Sequence, residues 1–209
     1  MDGIRTLLFD ADGTVLDARN FIIEATIYAL KKHGYSVPER SVIASHVGES
    51  FDIYYRVLSG SDNVKPLQES HREFQMANFN LSKAYPHAQE VLKALKSKHF
   101  KLGLVSTRVR KTLEETLRQA GLYDIFDVVI AGDEAPIKPA PDALLKALDL
   151  LGEIPGDAVM IGDSHIDIEA GKNAGTKTIR AKYGFHADRL HEPEPDLFIE
   201  DIRDLLKIF

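Results

Sequence analysis

The 209-residue chain contains no cysteine, which excludes disulfides, thiolate metal sites and thiol catalysis together and suits a reducing compartment. It has no run approaching the ~20 apolar residues that a membrane-spanning helix needs. It also lacks an excess of positive charge: 26 Lys and Arg stand against 32 Asp and Glu, for a net charge of -6. No overall field therefore gathers nucleic acid or an anionic membrane. Internal repeats and low-complexity tracts are absent, and Met1-Asp2-Gly3 leads into a strand pattern rather than a secretory apolar segment. What is present is a 44% apolar composition, enough to bury a substantial core at this length. The expectation is a cytoplasmic protein, monomer or homodimer.

Short apolar segments at residues 6–9, 101–105, 128–131, 158–161 and 177–179 each end near Asp, Ser, Gly or Arg and read as buried strands. Helical patterns separate most of them. One starts at Pro86, another runs to Gly121 and a third to Gly152. Alternating strands and helices predict an α/β fold with a doubly wound parallel sheet, whose ligands lie beyond the carboxyl ends of the strands. Residues 17–81 break the rhythm and read as helix after helix. Asn20 is placed as the cap of a helix ending at Gly34, Ser36 and Glu39 as a capping box, and residues 50–58 and 64–78 as further helices. The predicted organisation is a core of residues 1–16 and 82–209, with 17–81 inserted as a helical cap domain.

Four groups of residues at strand ends carry chemistry. Asp10-Ala11-Asp12-Gly13-Thr14 closes the first strand, and two carboxylates two positions apart on extended backbone face the same way. One can attack phosphorus while the other handles protons, although the same pattern alone also fits an Asp-Gly turn. Asp163 and Asp167 follow the strand at 158–161 and can face the same crevice. Four converging carboxylates demand a hard cation with oxygen ligands, and Mg2+ is the natural choice. Lys138 sits between prolines in Ile137-Lys138-Pro139, a stiffened loop that aims its charge at a phosphoryl oxygen and the attacking acid. Ser106, after the strand at 101–105, can bind a phosphoryl group through its hydroxyl, with Thr107 and Arg108 as further donors.

Together these segments resemble the motifs of the haloacid dehalogenase superfamily along essentially the whole chain. The resemblance implies Asp10 as nucleophile, Asp12 as acid/base, Ser106 as phosphate-binding hydroxyl, Lys138 as charge-neutralising lysine, and Asp163 with Asp167 as the acidic metal-site pair. It further implies magnesium held by the Asp10 carboxylate, the Asp12 backbone carbonyl and Asp163, with Asp167 in support. The helical insert resembles the cap of the subgroup containing phosphoglycolate phosphatase, pyrophosphatase-type phosphatases and β-phosphoglucomutase. An acid at position 12 argues for phosphoryl transfer over dehalogenation, which has no alkoxide to protonate. Two departures are visible: Ser106-Thr107 stands where relatives often carry Thr-Asn, and His165 where proline is common.

The expected activity is magnesium-dependent hydrolysis of a small phosphate monoester, phosphoglycolate-like, through an aspartyl-phosphate. The alternatives are a pyrophosphatase or nucleotide/sugar phosphatase, a β-phosphoglucomutase-like phosphotransferase, or a catalytically silent binding protein. Within the insert, His46, Glu49, Tyr54, Tyr55 and Arg56 are candidates for setting specificity. His186 and His191 show no trusted ligand spacing and read as surface residues.

Overall fold

The computed structural model describes residue 1, residues 3–185 and residues 193–209; the two histidines at 186 and 191 lie outside the described residues. Six parallel strands form the main sheet: β1 (Thr6–Phe9), β4 (Lys101–Val105), β5 (Val128–Ile130), β6 (Ala158–Gly162), β7 (Lys177–Ala181) and β8 (Leu197–Ile199), in the order β5-β4-β1-β6-β7-β8. A two-stranded antiparallel pair, β2 (Leu16–Asp17) and β3 (Lys83–Ala84), brackets the helical insert and lays its outgoing and returning chain side by side. Within it run α1 (Arg19–Lys32), α2 (Arg40–Ser45), α3 (Phe51–Ser59) and α4 (Lys65–Ala77). The later helices are α5 (Ala88–Ser97), α6 (Arg110–Gln119), α7 (Asp142–Leu151), α8 (His165–Ala174) and the short α9 (Leu205–Ile208).

Side chains on successive strand residues point to opposite faces, and this parity builds two cores. Leu7, Phe9, Leu102, Leu104, Val159 and Ile161 pack on one face with Leu92 and Leu95 of α5 and Leu113 and Leu117 of α6. Leu8, Val105, Ile130 and Met160 pack on the other with Leu144 and Leu148 of α7 and Ala170 of α8. Both faces of the central strands are covered, as an all-parallel sheet requires. The insert has a buried cluster of its own, including Ile23, Leu30, Ile43, Tyr55, Leu58 and Leu67. Among the described residues no helix is long and apolar enough to cross a membrane.

Several local expectations are corrected. Asn20 lies inside α1, whose capping position is Ala18 with no side-chain bond; the Asn20 side-chain Oδ1 instead accepts from Arg40 at 3.1 Å. Residues 36–39 are not helical, and α2 starts only at Arg40. Pro38 disfavours helical backbone at the residue before it, so the Ser36 box does not form. The helix expected at Pro86 begins at Ala88, after His87 turns the chain with a φ of 66°. A capping box does form, at Ser164 and Asp167, where α8 begins.

Candidate active site

Strand register assembles the site. Phe9 lies level with Leu104 on one side and Ile161 on the other. Asp10 therefore leaves the sheet beside the ends of β4 and β6, its backbone N–H bonded to the Ile161 carbonyl at 2.8 Å. Ser106 and Asp163 leave from those neighbouring strands. The long loop after β5 brings in Lys138, whose ammonium donates to Asp10 at 2.5 Å, Asp167 at 2.6 Å and the Val105 carbonyl at 3.0 Å. All four side chains are at least nine-tenths buried or nearly so, at 11% or less exposure for the ion-paired groups.

Asp167 is held at both oxygens. Lys138 takes one; the Ser164 backbone N–H and hydroxyl take the other at 3.1 and 2.6 Å. Burial opposes its charge, but Lys138 and Ser164 outweigh burial and keep its carboxyl below the ordinary value. Asp163 accepts a 2.6 Å bond from the Phe185 backbone N–H. Burial, followed by repulsion from Asp167 and Asp10, pushes its carboxyl well above the ordinary value. Burial likewise raises Asp10 to about 7 against the attraction of Lys138. The lysine stays protonated: burial disfavours its charge, yet Asp10 and Asp167 more than compensate.

Carboxylate oxygens of Asp10, Asp163 and Asp167 lie within 4.8 Å of one another. The three buried carboxylates outnumber the Lys138 ammonium set among them, and with the buried Arg180 guanidinium donating nearby to the Asp163 carbonyl at 3.2 Å the cluster still leans negative, a balance that a divalent cation would redress. Oxygen donors in this number suit a hard cation such as Mg2+. Asp163 has little freedom to leave: a Cβ at Gly13, where φ is +94°, would sit 2.4 Å from its Oδ2, and one at Gly184 would sit 2.3 Å from its Cβ.

Asp12 departs from the expectation of four converging carboxylates. Its side chain is not in the cluster and instead accepts from the Arg108 guanidinium at 3.1 Å. The strand ended at Phe9, and just beyond Asp12 the chain turns at 13–15, closed by Gly13 N–H to the Leu16 carbonyl at 2.8 Å. The alternation of an extended chain therefore no longer applies. Ser106 is buried, and its hydroxyl accepts the Arg108 backbone N–H at 3.2 Å.

A cavity of about 400 Å3 opens over this cluster, lined from the sheet side by Asp10, Asp12, Thr107, Arg108, Lys138 and Asp163. Of the candidates in the insert, Glu49 and Tyr54 line it. His46 reaches it only through its 3.0 Å bond to Glu49, and Tyr55 is packed in the helical core against His71. Arg56 points away, exposed and paired with Asp62 at 3.1 Å. On a helix beginning at Phe51 it falls on the face opposite the buried Tyr54 and Tyr55. Sequence reasoning missed Gln68, His71, Arg72 and Gln75, all of which line the cavity. Their spacing of three, four and seven residues along α4 is one helical stripe, and that periodicity was the available signal.

Residues 7–181 match the family profile described as haloacid dehalogenase-like hydrolase. A pyrophosphatase, PpaX, of Bacillus cereus (strain AH820) is 34% identical over 208 residues, spanning 98% of this chain and 96% of its own. A hydrolase of the haloacid dehalogenase-like family from Streptococcus pneumoniae superposes with a TM-score of 0.90 at 23% identity, covering 100% of both chains. A predicted phosphoglycolate phosphatase from Haemophilus somnus gives 0.88 at 24% identity, covering 100% of this chain and 99% of its own. At those identities the two structures establish a shared fold.

Proposed function

Because the chain belongs to the haloacid dehalogenase-like hydrolases and is a phosphatase of that family, we propose that it hydrolyses a small phosphate monoester, phosphoglycolate-like, through an aspartyl-phosphate on Asp10. The observation that carries this reading is the buried triad of Asp10, Asp163 and Asp167 closed by Lys138. A structural ion pair does not need three carboxylates around one ammonium, whereas a phosphoryl-transfer site uses such a charge deficit to hold a divalent cation. Asp10, Asp163 and the Asp12 backbone carbonyl would hold Mg2+, with Asp167 in support. The metal supplies positive charge against the phosphoryl oxygens and the attacking carboxylate.

In the first step a carboxylate oxygen of Asp10 forms a bond to phosphorus as the bond to the leaving oxygen breaks, and Asp12 gives that oxygen its proton. Lys138 and the Ser106 hydroxyl orient the transferring group and offset its charge. In the second step Asp12 takes a proton from water, which attacks phosphorus and breaks its bond to Asp10, releasing inorganic phosphate. Residues 17–81 act as a lid over this centre. Their separate buried cluster and the paired β2 and β3 connections support that division.

A second reading, hydrolysis of a phosphoric anhydride, is favoured by the relative named a pyrophosphatase; the same steps apply, with a phosphate oxygen leaving. The test is phosphate release from glycolate, sugar, nucleotide and pyrophosphate substrates, with and without Mg2+, in wild type and Asp10→Asn. Turnover is expected to require the metal and to fall by roughly 10^3 or more in the variant. Sustained turnover by Asp10→Asn would refute the covalent route, and an isomerised sugar phosphate without free phosphate would identify a mutase.

A further inference from the structure

Resting on the phosphatase reading, we infer that the cavity contains a second anion-binding subsite, formed by Arg72, Gln75 and Arg108. It selects phosphate compounds whose leaving group carries a carboxylate or another phosphoryl group. Arg108 is the first observation. Its guanidinium is 9% exposed and donates to Asp12 at 3.1 Å, the Thr112 carbonyl at 3.2 Å and the Thr116 hydroxyl at 2.8 Å. Its Nε–H, however, is buried without a partner. The guanidinium is a rigid fork that lines the cavity beside Asp12 and brings a fixed positive charge to it, although the Nε prong itself is enclosed by protein.

The second observation lies across the cavity. Arg72 makes no ion pair among the described residues and rests over the Phe51 ring, its guanidinium carbon 5.3 Å from the ring centre. Gln75 is 5% exposed and lines the cavity, and its amide makes no hydrogen bond among the described residues. Both belong to the α4 stripe that faces the sheet. Between them His71 is held neutral, lowered to about 3 by burial and then by the Arg108 and Arg72 charges, so positive potential converges there from two elements. Two acids also line the cavity: Asp52 accepts from Gln68 at 2.6 Å, and Glu49 accepts from His46 at 3.0 Å through one oxygen, while its other oxygen is buried without a partner among the described residues.

A cavity of about 400 Å3 lies near the lower end of the ~300–1,000 Å3 range of ligand pockets. Lys138, Arg72, Gln75 and Arg108 all line this one cavity, so a short leaving group with a terminal anion would be enclosed together with the transferring phosphoryl group. A neutral leaving group would leave the three donor groups unmatched.

The experiment compares kcat/KM for phosphoglycolate and pyrophosphate with that for phenyl phosphate, in wild type, Arg72→Gln, Arg72→Lys and Arg108→Lys. Wild type is expected to favour the two anionic compounds by about tenfold or more, in keeping with charge-assisted pairing. Arg72→Gln is expected to lower that ratio by about tenfold, mostly through KM, with Arg72→Lys recovering part of it. Arg108→Lys, which keeps charge but loses the planar fork held by Asp12, Thr112 and Thr116, should lower it as well. Arg72 carries no bond that folding depends on, and a melting curve for each variant confirms integrity. Phenyl phosphate turned over as well as the anionic compounds, or a ratio unmoved in Arg72→Gln, would overturn the subsite and leave the phosphatase reading standing. No phosphate released from any of the three with Mg2+ would overturn both.

Discussion

The two halves of the cavity are built by different rules. On the sheet side, Asp10, Ser106 and Asp163 are the first residues beyond their strands, Lys138 sits on a loop clamped against one and Asp167 on the first turn of α8, and all are held by charge or backbone bonds. Lys138 alone touches two acids and a strand-end carbonyl. On the helical side, the lining residues include one from α1, the loop at 47–50 and positions on α3 and α4 set by helical periodicity. Several, including Arg72 and Gln75, make no hydrogen bond among the described residues. The sheet side is preorganised for one chemistry, and the helical side presents donors that await a ligand. Reaction type and selectivity are thus separable, and mutations on the two sides should separate them.

Breaking the sheet side should have the largest effect. Lys138→Met removes the ammonium that donates to both Asp10 and Asp167, and activity is expected to fall by roughly 10^2–10^3. Leaving buried charge uncompensated should also cost about 3–5 kcal/mol of stability, read from denaturant unfolding. Activity kept within severalfold of wild type would show that charge at this position is dispensable.

Metal removal tests the same side by pH. Asp10 at about 7 and a raised Asp163 mean that the folded, metal-free protein binds more protons than the unfolded chain between the ordinary carboxylate value near 3.8 and about 7. Its stability should therefore fall as pH rises through that window. Asp167, shifted downward, acts only below it. With EDTA, Tm should drop between pH 5 and pH 8. Mg2+ should raise Tm more at pH 8 than at pH 5, since protons and metal compete for these carboxylates. A Tm independent of pH and of Mg2+ would contradict the charge deficit.

The smallest effect belongs to Arg56→Ala on the helical side. Arg56 is exposed and paired only at the surface, so phosphate release should match wild type and stability should move within about 0.5 kcal/mol. A changed substrate preference would mean that the lining of the helical side is drawn in the wrong place.

That contrast also explains what the sequence revealed. Strand ends are marked by apolar runs stopping at Asp, Ser or Gly, so Asp10, Ser106 and Asp163 were legible as strand-end residues, Asp167 by its place one helical turn beyond Asp163, and Lys138 by the prolines that flank its loop. Asp12 does face the same cavity as Asp10 and Asp163, but its carboxylate pairs with Arg108 instead of joining their cluster, because the strand ends at Phe9 and alternation no longer sets its direction. β8 escaped notice because Leu197 and Phe198 remain partly exposed at a sheet edge and the three-residue segment shows no alternation. The α4 stripe was missed for a different reason: Gln68, His71, Arg72 and Gln75 look like a solvated face. Only tertiary packing reveals that this face looks onto the sheet.

Gly13 and Gly184 flank Asp163 so closely that a single added carbon on either would collide with it. The site is therefore specified partly by two hydrogen atoms. Transplanting the acids and the lysine onto another parallel sheet would not reproduce it unless both bare backbone positions came along. Asp163 would swing aside, and the charge balance would be lost although every named functional group was present.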